Sequence, residues 1–92
     1  EVYVMRPDRE LTIGDAHQII EVTGQLEGPG ESCGSGNKCY RLDYGFGEPF
    51  VFRTGHPDAD TGMCVTFVGP LGAFQGNLQL DTVNLSWLQV YN

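Results

Sequence analysis

The sequence predicts an all-β fold, a small barrel of five strands, and three observations predict it. Apolar side chains alternate with polar ones in several separate runs, the spacing at which one face of a strand meets a core. Thirteen glycines and five prolines in 92 residues are dispersed between those runs as turn residues, not massed as in a disordered linker. No stretch offers a stable helix, and two of the runs are long and bent, which favours a closed or partly open barrel over a flat sandwich.

Residues 63–80 organise the rest. Val65, Phe67, Gly69 and Leu71 fall on one side, Gln75-Gly76-Asn77 supplies a turn, and Leu78 and Leu80 resume the alternation, so the stretch reads as a long hairpin. Upstream, residues 2–5 alternate weakly before Arg6-Pro7-Asp8-Arg9 and read as an extended arm. Residues 10–16, with Leu11 and Ile13, are too short for a helix and read as a lead-in that covers one end of the fold. The expected division is therefore an arm and lead-in at 1–16 and a barrel domain at 17–92.

The first long strand is expected at residues 17–28, with Ile20, Val22, Gly24 and Leu26 sharing a face. A glycine inside such a strand marks a bend or a close backbone approach, which a long strand needs when it passes from one sheet into another, so Gly24 is expected at such a passage. The second strand, residues 39–44, turns Tyr40, Leu42 and Tyr44 inward, and the third, residues 50–54, does so with Phe50 and Phe52. The fifth strand continues from the hairpin through residues 81–91. There Val83, Leu85 and Trp87 lie one residue out of step with Leu78 and Leu80, as a β-bulge would leave them, and Trp87 is expected as a core anchor.

Charge narrows the function classes. Five basic side chains oppose twelve acidic ones, a formal net charge of −7. Such a surface repels phosphate backbones, and nonspecific nucleic-acid binding loses the counterion release that drives it. A partner held through charge is expected to be basic. No run of eighteen apolar residues is present, so no helical membrane span is expected. The chain begins at Glu1 with no signal peptide and no initiator Met, which fits a processed or trimmed chain.

Cys33 and Cys39 flank Gly34-Ser35-Gly36-Asn37-Lys38, a loop flexible enough to bring the two sulfurs together. A bridge there would contribute about 2 kcal/mol by the chain-entropy estimate and would place the domain in an oxidising compartment. Cys64 is then the odd thiol, on the side opposite Val65 and Phe67, where the ordinary fate is a small buried hydrophobe. A bridge from Cys39 to Cys64, or from Cys64 to another chain, remains open at this stage. No C-x-x-C exists, and neither His17 nor His56 lies at ligand spacing from a cysteine, so no metal or other cofactor is expected.

Other chemistry finds little support. His56, Asp58 and Asp60 lie within five residues but lack the alternating oxygen ligands and distal Glu of a calcium loop, so a solvated turn is the simpler reading. G-x-S-x-G does not occur, and Ser35 sits in a flexible turn without a placed base. The domain is therefore not expected to be an enzyme.

The order VTGQLEG (22–28), CYRLDYG (39–45), FVFRTG (50–55) and CVTFVGPLGAFQGNLQL (64–80) resembles the OB-fold, a five-stranded Greek-key barrel. The resemblance covers residues 18–91. It departs from many members in a short connection between the third and fourth strands, which leaves little room for the usual capping helix; the segment around Leu11 and Ile13 is expected to close that end. The resemblance implies a ligand face on the outside of strands two and three and on the neighbouring loops. The candidates that map there are Lys38, Arg41, Arg53, Phe46, Phe74, Gln75 and Asn77. Function does not follow from fold. The expectation is a non-enzymatic interaction module of an exported protein (periplasmic, cell-envelope or secreted) that binds another protein. The alternative is a binder of single-stranded oligonucleotide or oligosaccharide through the outer face of strands two and three.

Overall fold

In the computed structural model, which describes residues 3–82 and 86–91, seven strands form one curled mixed sheet, a half-barrel. In chain order they are β1 (Ile19–Ser32), β2 (Lys38–Asp43), β3 (Phe50–Thr54), β4 (Cys64–Pro70), β5 (Gly72–Phe74), β6 (Asn77–Asp81) and β7 (Trp87–Tyr91). Their order across the sheet is β5-β6-β3-β2-β1-β4-β7, and every pairing is antiparallel except β3 with β6.

The count corrects the expected five strands. β4 and β5 are separated only by Leu71, whose amide donates to the Gln18 carbonyl and not to a strand partner, and β6 and β7 bracket a slip in register. Gly72 faces Gln79 in one pair and Val68 faces Trp87 in the other, a slip of four residues where a one-residue bulge was expected. An even slip preserves the side-chain phase. Leu88 and Val90 therefore stay in step with Leu78 and Leu80 and pack against the core, whereas Trp87 points outward at 51% exposure. The expected core role of Trp87 is thus reversed, and Val83 and Leu85 lie outside the described residues. The hairpin turn holds: Gln75 and Gly76 both have positive φ, 53° and 80°, the pair of left-handed residues that matches the twist of a two-residue turn.

β1 carries the curl. Its first half, from Ile19 to Gln25, pairs with β4, and from Gln25 onward it pairs with β2. Gly24 sits at the changeover, and a Cβ there would overlap the carbonyl oxygen of Asp43 and come within 2.9 Å of Leu42 Cδ1. The missing side chain lets the two backbones meet, so the expectation of a close approach is met. The core lies inside the curl: Ile20, Val22, Leu26, Leu42, Phe52, Val65, Phe67 and Leu80 are all buried, and Phe52 and Phe67 meet edge to face at 5.9 Å. Burial of these side chains is the main stabilising term.

The amino-terminal segment covers one end, with a difference of detail. Leu11 is buried and its amide donates to the Tyr44 hydroxyl at 2.9 Å, but Ile13 is half exposed on a single 3-10 turn, Ile13–Asp15. Met5 adds a one-residue parallel bridge to Ile20 along the edge of β1 that β2 leaves free. The segment is pinned by Asp15, a buried carboxylate. Arg9 donates to both of its oxygens at 2.9 Å and the Thr12 amide at 2.8 Å. The Arg9 guanidinium first, and the Thr12 amide second, hold the Asp15 carboxyl well below the usual carboxylate range.

Two expectations follow. Gly24→Ala should lower stability by about 1–3 kcal/mol, read as a fall in denaturant midpoint at unchanged slope, because backbone and not a flexible side chain blocks the added methyl. The Asp15 contribution should be complete above about pH 4, the unfolded carboxylate pKa, and should fade as pH drops below that toward the depressed folded value. Melting temperatures measured from pH 7 to pH 2 should thus fall less steeply for Asp15→Asn, from a lower starting point, than for the parent.

Candidate functional site

The outer surface of β2, β3 and β6 is built from three strands in register. Cys39 faces Arg53 and Arg53 faces Asp81; one row along, Arg41 faces Val51 and Val51 faces Gln79. The β5–β6 hairpin sets Gly72 opposite Gln79 and Phe74 opposite Asn77, which brings Phe74 onto the same outer side. Phe74 is 61% exposed at the hairpin tip, a position that costs apolar hydration and contributes nothing to the core. Below it lies a groove of about 460 Å³ lined by Cys33, Cys39, Arg53, Phe74, Gln79 and Asp81. A second recess of about 280 Å³, on the His17 and Pro70 side, shares Phe74, Gln79 and Asp81, so Phe74 stands as a ridge between two hollows with a common floor.

The disulfide Cys33–Cys39 is formed and leaves Cys64 as a free, half-buried thiol. The bridge closes a tight loop, in which the Cys33 amide donates to Asn37 and the Asn37 amide to the Gly34 carbonyl. That loop is joined to the sheet through Arg53. Its guanidinium donates to Asp81 Oδ2 at 2.9 Å and to the Gly34 carbonyl at 3.4 Å, so the arginine is committed to the domain's own acceptors.

The seven candidate residues do not form one site. Arg53 and Phe74 share the disulfide groove. Arg41 and Asn77 line a separate hollow of about 520 Å³ beside the amino-terminal segment, where Glu10 and Glu48 offset the arginine and its guanidinium donates to the Pro49 carbonyl. Lys38 shares its phase with Tyr40 and Leu42, not with Arg41, and lines a small recess at the opposite end with Tyr40, Thr54 and His56. Phe46, at 37% exposure, leans on Tyr44 with ring centroids 6.0 Å apart and touches neither groove under Phe74. Gln75 is exposed in the turn, its carbonyl accepting from Asn77.

Cations are largely paired. Arg6 meets Glu21 at 3.1 Å, Arg9 meets Asp15 and Arg53 meets Asp81. The side chains of the His56 loop serve their own turn: His56 Nδ1 accepts from the Asp58 amide and Asp60 Oδ1 from the Thr61 amide. Among the described residues, no group of three His, Cys, Asp or Glu side chains is placed to hold a metal ion. Tyr40 donates to the Ala59 carbonyl at 3.1 Å, and burial, reinforced by Asp60, pushes its phenol pKa upward. No helix among the described residues is long and apolar enough to cross a membrane.

Sequence reasoning missed two sets of residues. Gln79 and Asp81 floor both hollows, and only the parallel pairing of β6 with β3 brings them there. Trp87, Gln89 and Tyr91 project outward from β7; the signal that could have found them is the shared even numbering of Leu78, Leu80, Leu88 and Val90. No family model matches the chain, and neither does any curated protein or solved structure.

Counting thiols checks the loop chemistry. The denatured, unreduced domain should show one reactive thiol and the reduced domain three. Reduction should lower stability by about 2 kcal/mol, read from denaturant melts with and without reductant.

Proposed function

We propose that the domain is a non-enzymatic OB-fold module of an exported protein, and that it binds another polypeptide across the outer face of β2, β3 and β6 beneath Phe74. The pairing pattern supports the fold assignment. β1, β2 and β3 form an antiparallel meander, β6 joins β3 in parallel, and β5 pairs with β6 while its continuation β4 pairs with β1. With β4 and β5 counted as one bent strand and β6 and β7 as another, the neighbours follow each other round a ring, as in that family. The disulfide supports an oxidising compartment and hence export.

One observation carries the choice of ligand: a 61%-exposed phenylalanine stands over a groove whose one cation among the described residues, Arg53, already belongs to Asp81. An exposed aromatic over a mostly apolar hollow serves as an anchor for apolar side chains, the usual centre of a protein contact. A phosphate chain would need cations that the groove does not spare, on a domain of net charge −7. The expected ligand is therefore an extended peptide with apolar residues and flanking Lys or Arg.

Panning a random peptide library against the intact domain tests this. It should enrich basic, apolar-rich peptides whose affinity falls about tenfold in Phe74→Ala, a loss of about 1.4 kcal/mol. A twelve-nucleotide oligothymidylate should not bind even at low salt. Enrichment indifferent to Phe74→Ala, or oligonucleotide affinity that drops steeply with salt, would overturn the proposal.

A further inference from the structure

A second outer face, on the other side of the sheet's order, has a different chemistry. Three rows cross β1, β4 and β7 in register, and they carry a single charge, Glu21, which is ion-paired with Arg6. The patch is therefore almost uncharged, on a domain of net charge −7. It also holds two exposed aromatics, Trp87 at 51% and Tyr91 at 38%, with exposed Gln89 between them on the same side of β7. Four strand steps lie between the two rings' backbones, a span of about 13 Å.

Tyr91 is held in place. Its hydroxyl bonds Thr66 Oγ1 at 3.0 Å, and Thr66 Oγ1 bonds Thr23 Oγ1 at 3.0 Å, a hydroxyl chain that crosses all three strands. This tether draws the phenol across the sheet toward β4, so the ring is positioned before any ligand arrives.

We propose that this face is a binding site for a neutral oligosaccharide, with Trp87 and Tyr91 as stacking platforms and Gln89, Thr23 and Thr66 as hydroxyl partners. Sugar rings present polarised C–H groups on one side, which suit the electron-rich face of an aromatic ring, and hydroxyls round the rim, which need both donors and acceptors. Amide and hydroxyl side chains offer both, whereas carboxylates only accept and ammonium groups only donate. A patch that combines two platforms with such groups, and whose one charge is neutralised, fits an uncharged glycan better than a charged polymer or the charged rim of a protein interface. The site is separate from the Phe74 groove and does not depend on the function proposed for it.

Trp87 is the sole tryptophan of the chain, so tryptophan fluorescence, excited selectively, reports on this face alone. The intact domain is titrated with cellohexaose, xylohexaose, mannohexaose, chitohexaose and maltohexaose, and binding is confirmed by calorimetry. At least one should shift the tryptophan emission. Its affinity should fall about tenfold or more in Trp87→Ala, about threefold in Tyr91→Phe, which keeps the ring but loses the tether, and not at all in Phe74→Ala. Thermal melts check that each variant is folded. Silence with every sugar at millimolar concentration, or affinity that survives Trp87→Ala, would overturn the proposal. So would an emission shift with a pool of cationic peptides but with none of the sugars, which would make the face a protein interface.

Discussion

The carbonyl oxygen of Asp43 occupies the space that a side chain at position 24 would need, and the architecture depends on that contact. β1 is the one strand that must serve β4 with its first half and β2 with its second. β2 and β4 pair with opposite edges of β1, and where the two pairings meet the backbone of β1 lies directly against the end of β2. Glycine allows the two chains to close. The curl that results turns Ile20, Val22 and Leu26 toward Phe52, Val65 and Phe67 and makes one interior from strands distant in sequence.

Curling also sorts the outer surface into faces of different chemistry. Because every strand alternates, each inward apolar residue leaves an outward neighbour, and the register of the pairs decides which outward residues become adjacent. On β2, β3 and β6 that process sets Arg53 beside Asp81 and under Phe74. On β1, β4 and β7 it gathers hydroxyls, two amides and two aromatics with hardly any charge. The ion pairs matter here for what they remove: a cation already satisfied within the domain is a weak attractor of anions, whereas an exposed ring keeps its full gain on burial.

The interior was largely legible in the sequence. Tyr40, Leu42, Phe50, Phe52, Val65 and Phe67 follow the two-residue period of half-buried strands, and all are buried. The Cys33–Cys39 bridge was legible because a short glycine-rich loop brings its ends together whatever the fold around it. The candidate surface was legible only in pieces. Lys38 and Arg41 lie three residues apart on one strand yet on opposite faces and in different hollows, since Lys38 follows the phase of Tyr40. Trp87 was misread because its phase was taken from Val83 and Leu85, whereas Leu88 and Val90 set it.

By itself the sequence determined the class of fold, most of the buried residues, the close backbone approach at Gly24, the turn at Gln75-Gly76 and the acidic balance. Each of these is local, fixed by side-chain period, glycine geometry or composition. Tertiary structure alone decided the parallel union of β3 with β6, the four-residue slip between β6 and β7, the pairing of Arg53 with Asp81 and the outward aspect of Trp87. Those depend on register between segments far apart in the chain, and register is chosen by the fit of a whole interior, which no single segment encodes.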